Sequence, residues 1–252
     1  PVYAESPLRS GSSAARIPGA LEAVPPEHPL RALTTDRFDG PAPLFAAAHH
    51  ALATALESPD GSVRRVPLLA RVGDQYLPSL ALAAWMKLHD LWPPDLRIHA
   101  PSARLVDADG TSRMQLPDDL VAEIGYAGSV ESFASHRVGF VDALRVLKAA
   151  NASDASDDVK QRARELFEGK VVLVGLTARG SYMVDFGVTP FDSSAPLLYA
   201  HVNMLDTLLR EAPLERFPPA LEYLLTVVIV GVGAWIAGSI RPWRLVTTLA
   251  VL

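Results

Sequence analysis

From Tyr223 to Ile240 the chain carries about 18 consecutive residues without a charge, and this run limits its fold more than any other feature. Wound as an α-helix rising about 1.5 Å per residue, the run reaches roughly 27 Å, close to the thickness of a bilayer's hydrocarbon core. A run of this length also occurs as the buried central helix of a large soluble protein, but its flanks favour a membrane. Arg216, Pro218 and Pro219 precede it, and Arg241-Pro242-Trp243-Arg244 closes it. Two arginines and a tryptophan together are expected as an interfacial anchor on the cytoplasmic side. LVTTLAVL follows over 245–252, so the expected arrangement is a hairpin of transmembrane helices, the first over 220–240. Residues before about 220 then lie outside the cytoplasm. Gly231, Ala234 and Gly238 recur at helical spacing, which lets a second helix approach, although small residues are common in any membrane helix.

Without the apolar tail about 218 residues remain, enough for a single core. The formal charge of -5 is mild, and no lysine or arginine cluster tracks a phosphate backbone, so nucleic acid is not an expected partner. The absence of cysteine excludes disulfide scaffolds and thiolate metal sites. The chain starts at Pro1 and stops inside a second apolar segment. A fragment of a longer protein is therefore expected, lacking an N-terminal anchor and a C-terminal output module.

Residues 1–45 are rich in Pro, Ser, Ala and Gly and are expected to be a loop-rich remnant of a truncated N-terminal part. Pro43 to Glu57 carries helix formers through His49 and His50. Adjacent histidines cannot face one ion from a helix, and no metal site is expected there. A hairpin follows, with turns at Pro59-Asp60-Gly61 and near Gly73-Asp74, leading into a helix from about Pro78 to His89. LRIHA and ARLVDADGTSRMQLP form a second β unit turning at Asp109-Gly110, and AEIGYAG continues in strand-like fashion. Asp107-x-Asp109-Gly110 lacks the further ligands of a calcium loop and is expected to be a turn. Helices are expected over Val138–Ala150 and Val159–Glu168.

Lys170-VVLVGL is β-branched without alternation, the pattern of a strand buried on both faces. A loop from Thr177 to Pro196 follows, and Leu197 to Arg210 is an amphipathic helix that delivers the chain to the apolar run. The sum is an α/β fold: a mixed sheet flanked by helices, followed by transmembrane α-helices. Gly175 and Gly180 bracket the loop after the strand, where α/β sheets commonly bind ligands. Their spacing matches no nucleotide-binding pattern, and no cofactor is expected. Asp185 and Thr189-Pro190 can fix that loop through side chain-to-backbone bonds. Lys170 can either reach a ligand carboxylate or close the strand edge. His201 and Asn203, two apart on the last helix, can contact a ligand, and His201 can instead hydrogen-bond loop backbone and fix the helix against the sheet. Ser79 and Ser181 lack a nucleophile elbow, and no catalytic residue is assigned.

GKVVLVGLTARG, DFGVTP and YAHVNMLDTLL together resemble the type-two CHASE family, cyclase- and histidine-kinase-associated sensory extracellular domains. Gly169, Lys170, Gly175, Thr177, Asp185, Thr189, Pro190, His201, Asn203 and Leu208 occupy positions matching the family's pattern. Upstream, PDGSVRRVPLL, PSLALAA, IGYAGSVESF and VGFVDAL are similar to further segments of the family in the same order. The resemblance runs from about Ala46 to Leu252 and implies a sensor domain over 46–218. Thr177, Arg179, Asp185 and Thr189 of the loop after the strand, with His201 and Asn203 of the last helix, are the ligand-binding candidates, and the resemblance implies Gly169, Lys170, Gly175 and Pro190 as structural motif residues.

What the resemblance implies is an extracytoplasmic sensor in the inner (plasma) membrane, answering a small-molecule or protein stimulus. Its partners would be the lipid bilayer, a cytoplasmic output domain in the same chain and a second copy in a homodimer. The output would be an adenylate or guanylate cyclase, a histidine kinase, a serine/threonine kinase or a diguanylate cyclase. Two other classes stay open. A membrane-anchored α/β hydrolase requires an activated nucleophile near Ser181, and a scaffold or transporter subunit requires further spans with no output module.

Overall fold

The computed structural model of the chain describes residues 20–23, 33–35, 56–58, 60–72, 75–91, 96–99, 104–117, 119–177, 186–210 and 219–239. They fall into two compact units, 1–214 and 215–252.

The first unit is built on hairpins. Strand β5 (Leu69–Val72) returns antiparallel as β6 (Gln75–Pro78), and β8 (Arg104–Asp107) returns as β9 (Ser112–Gln115). With β1 (Leu21–Ala23), β2 (Leu33–Thr35) and β7 (Leu96–His99) they form a seven-stranded sheet in the order β2-β5-β6-β1-β7-β8-β9. The β1–β7 and β2–β5 pairs are parallel and the others antiparallel, so the sheet is mixed, as expected. A smaller sheet places β4 (Val63–Pro67) between β3 (Leu56–Glu57) and β10 (Val121–Glu123).

The expected Asp-Gly turns are present for the expected reason. Gly61 (φ +76°) and Gly110 (φ +80°) occupy the left-handed region, where a Cβ is costly. Asp60 Oδ1 accepts the Ser62 amide at 3.1 Å. Asp107 Oδ1 accepts the amides of Asp109 and Thr111 at 3.1 and 2.8 Å, which occupies it as a turn residue.

Helix α1 (Leu80–Leu88) starts at Ser79, whose Oγ accepts the Leu82 amide at 3.1 Å and caps the first turn. Leu82, Trp85 and Met86 recur at i, i+3 and i+4 and are all buried, so one face of α1 enters the core. Helix α4 (Leu198–Leu209) packs against α1 and buries Ala200, Met204 and Leu208, four residues apart. The same core takes Leu69, Leu96, Ile98 and Leu105 from the large sheet and Val66 and Ala122 from the small one. Each fully buried leucine or methionine contributes about 1.5–3 kcal/mol, which fixes α4 to both sheets.

Three expectations are corrected. The segment 1–45, expected to be loop-rich, holds β1, which sits between β6 and β7, and β2, which pairs with β5; three residues are too few to show a period, and pairing makes each strand. Of the helix expected over Pro43–Glu57, residues 43–55 lie outside the described ones, but Leu56 and Glu57 form β3 because the hairpin offers them a ladder. Lys170 to Leu176, expected as a doubly buried strand, forms no strand, and Val174 is 70% exposed. A β-branched run supplies propensity, but a strand also needs a neighbour to pair with, and no strand among the described residues pairs with it.

The helices preceding that segment share its exposure. Helices α2 (Phe140–Ala150) and α3 (Asp157–Phe167), close to their expected bounds, pack on each other and bury no residue. Phe140, Val141, Leu144 and Leu147 of α2 are exposed.

In the second unit, α5 (Pro219–Ser239) is a 21-residue helix whose stretch Ala220–Gly238 has mean hydropathy 2.0 and is 0% buried within the protein. It is long and apolar enough to cross a membrane. Thr226 Oγ1 donates to the Glu222 carbonyl at 2.8 Å, so its hydroxyl is satisfied inside the helix. The expected anchor at 241–244 and second span at 245–252 lie outside the described residues.

Candidate functional site

The inner face of α4 is a row of polar side chains that hold the backbone leaving β10. Thr207 Oγ1 accepts the Gly125 amide at 2.9 Å and donates to the Asn203 carbonyl at 2.7 Å. Asn203 Oδ1 accepts the Ala127 amide at 2.9 Å while its Nδ2 donates to the Tyr199 carbonyl at 2.8 Å. Asn203 is 1% exposed, so both ends of its amide are spent on backbone where water cannot replace them. Gly125 fits closely here: a Cβ on it would meet Thr207 Oγ1 at 3.0 Å, so the threonine would have to shift.

The loop before α4 is pinned by the next layer of bonds. Strand β11 (Phe186–Gly187) pairs antiparallel with β12 (Ala195–Pro196), and Ser62 bridges Val188. Thr189, buried, donates its amide to the Asp192 carbonyl at 2.8 Å and accepts the Asp192 amide on Oγ1 at 3.0 Å. Asp192 Oδ2 then accepts the Val130 amide at 2.9 Å, tying this turn to the 3-10 segment Val130–His136. Phe133 meets Tyr199 with ring centroids 5.6 Å apart, and Tyr126 meets Phe191 at 6.4 Å.

Electrostatics concentrate at the hairpin below this loop. Hydrogen bonds from Arg64, then from Ser62, hold the Asp60 carboxyl well below the usual carboxylate range. Tyr126 donates its hydroxyl to the Val63 carbonyl at 2.9 Å. Burial pushes its pKa up to about 12, although nearby Arg64 pulls it the other way.

Of the ligand-binding candidates, Thr189 in the loop before α4 and His201 and Asn203 on α4 are all buried. Thr189 fixes its turn as expected, and Asn203 holds loop backbone. Thr177 is exposed, and Arg179 and Asp185 lie outside the described residues. The motif residues have mostly local roles. Gly169 (φ +67°) follows the C-cap Glu168 of α3 in the left-handed conformation that ends helices, and Lys170 Nζ donates to the Glu165 carbonyl of the same helix. Gly175 lets its backbone approach α4, since a Cβ there would lie 2.8 Å from Leu198 Cδ2. Pro190 is exposed within the Thr189–Asp192 turn. Among the described residues no three His, Cys, Asp or Glu side chains converge to hold a metal ion.

One feature escaped sequence reasoning altogether. A cavity of about 270 Å³ opens between α1, α4 and the β9–β10 connection, with Trp85, Leu68, Ala122 and Leu208 among its walls. Arg113 and Gln115, both exposed on β9, stand at its open side. Its lining comes from segments spread over Leu68 to Leu208, so no local spacing announces it.

The chain matches the CHASE2 domain over residues 8–236, and it belongs to that family. The match begins well before Ala46 and so includes most of the Pro- and Ser-rich segment. A CHASE2 domain is an extracellular sensory domain of signalling receptors. No curated protein and no solved structure matches the chain.

Proposed function

We propose that this chain is the extracytoplasmic input module of a receptor in the inner (plasma) membrane, passing a stimulus through transmembrane helices to a cytoplasmic output module. The output belongs to the cyclase, histidine kinase, serine/threonine kinase or diguanylate cyclase classes. The observation that carries this reading is the order of two helices. Helix α4, buried against both sheets, is followed about ten residues later in sequence by α5, which is uncharged from Tyr223 onward. A stimulus that favours one arrangement of α4 over another acts at the last described helix before α5. It needs only a different affinity for the two arrangements. The receptor works as a homodimer, since cyclase and kinase outputs act in pairs, and the bilayer is its second partner.

The test is to read the same frame beyond Leu252. Further apolar spans followed by cyclase, kinase or diguanylate cyclase motifs support the receptor and name its output. Repeated spans with no such module move the weight to a scaffold or transporter subunit.

A further inference from the structure

We infer that the cavity between α1 and α4 is the stimulus site, and that its ligand is a small uncharged aromatic compound bearing one polar substituent. This deepens the sensor reading and rests on it.

Size limits the ligand first. At about 270 Å³ the cavity exceeds the ~150 Å³ that holds benzene and falls just under the ~300 Å³ of ordinary ligand pockets. One ring with a short substituent fills it. The walls then choose its character. Leu68, Ala122 and Leu208 are buried and apolar, and Trp85 is an aromatic surface 6% exposed. Met114 adds a polarizable thioether, which favours contact with an aromatic ring.

Charge at the open side makes the last selection. Arg113 would attract an anion if it stood alone, but its Nη2 lies 2.6 Å from Asp107 Oδ2. Asp107 is itself fixed by the amides of Asp109 and Thr111. The pair is therefore built into the β8–β9 turn, and the charge of Arg113 is met by Asp107. A carboxylate ligand must compete with Asp107, and an ammonium ligand faces Arg113. A hydroxyl or amide meets neither obstacle.

Position gives the cavity its consequence. Trp85 belongs to α1 and Leu208 to the last turn of α4, and the two helices pack on each other. A ring between them adds contacts to both, so its occupancy favours the α4 position that makes those contacts best.

The test uses the 252-residue chain in lipid nanodiscs, with empty nanodiscs as the partition control. 4-Fluorobenzyl alcohol, followed by fluorine NMR, should bind saturably with a Kd on the order of 0.1–1 mM, as expected for so few atoms. Met114→Trp, which fills the cavity, should weaken binding at least about tenfold. A second comparison needs no variant: 4-fluorobenzoate and 4-fluorobenzylammonium should each bind at least about tenfold more weakly than the alcohol. Because the chain lacks cysteine, spin labels at Lys87→Cys on α1 and Asp206→Cys on α4 read the separation of the helices. The ligand should shift that distance. No saturable binding, or preference for the anion, overturns the ligand class and leaves the receptor reading to the test of its reading frame. Binding with no change in distance overturns the role of the cavity in signalling.

Discussion

Asn203 and Ala127, 76 residues apart in the chain, are joined by a hydrogen bond of 2.9 Å from the Ala127 amide to Asn203 Oδ1. With the Thr207–Gly125 bond one turn further along α4, it locks that helix to the backbone leaving β10. Asn203→Ala strands the buried Ala127 amide and should destabilise the chain by about 1–3 kcal/mol. Thr207→Val keeps the shape but strands the Gly125 amide, at about 1–3 kcal/mol. Urea unfolding should show lower midpoints with unchanged slopes. A wild-type midpoint for Asn203→Ala would show that the side chain is free for a ligand instead.

Glycine at two positions separates crowding from backbone strain. A Cβ on Gly187 would lie 2.6 Å from Leu197 Cδ2 and 3.2 Å from Val63 Cγ2, so Gly187→Ala should cost about 1–3 kcal/mol through overpacking. At Gly61 nothing lies within 4 Å, but φ is +76°. Gly61→Ala should cost about 1–2 kcal/mol, and Gly61→Asn, which tolerates that conformation, clearly less. Thermal unfolding of the three variants checks the order.

Tyr126 gives the alkaline limb of the stability curve. Its folded pKa of about 12 lies above the ordinary tyrosine value of 10.0, so the folded state keeps a proton that the unfolded state releases. Its contribution is full below pH ~10 and is lost as pH rises toward 12. Tyr126→Phe should flatten this decline and, by losing the bond to the Val63 carbonyl, cost about 1 kcal/mol at neutral pH. Stability measured from pH 8 to 11 in both proteins tests it; parallel curves would contradict the assignment.

The segment Val171–Leu176 has the sequence of a buried strand and the surroundings of a surface one. Lacking a ladder, its amides should exchange hydrogen far faster than those of β4, which is paired on both sides. Exchange as slow as that of β4 would show that the segment finds a partner strand, and β10 and β3 are the edge strands of the small sheet among the described residues.

How much of this was legible depends on the distance between cause and effect along the chain. The Asp60-Gly61 and Asp109-Gly110 turns were, because a left-handed glycine and an aspartate that bonds its own backbone act within four residues. Helices α1 and α4 were, because Leu82, Trp85 and Met86, or Ala200, Met204 and Leu208, keep a helical period. Strand β1 was not, since three residues between β6 and β7 become a strand only through pairing. Lys170 was weighed as a strand end or a ligand contact, but its partner is the carbonyl of Glu165 in the preceding helix. The cavity was illegible because Leu68, Trp85, Ala122 and Leu208 meet only after both sheets and both helices are packed.

The central claim is that the folded unit lies outside the cytoplasm and that α5 crosses the membrane. The absence of cysteine makes it directly testable. In spheroplasts expressing the intact gene, with any cysteine outside these 252 residues replaced, a membrane-impermeant maleimide should label Asp154→Cys, on the exposed α2–α3 connection, without permeabilisation. Arg241→Cys, beyond the apolar helix, should react only after the membrane is opened. Labelling of Asp154→Cys only after permeabilisation would place the sensor unit in the cytoplasm and contradict the account.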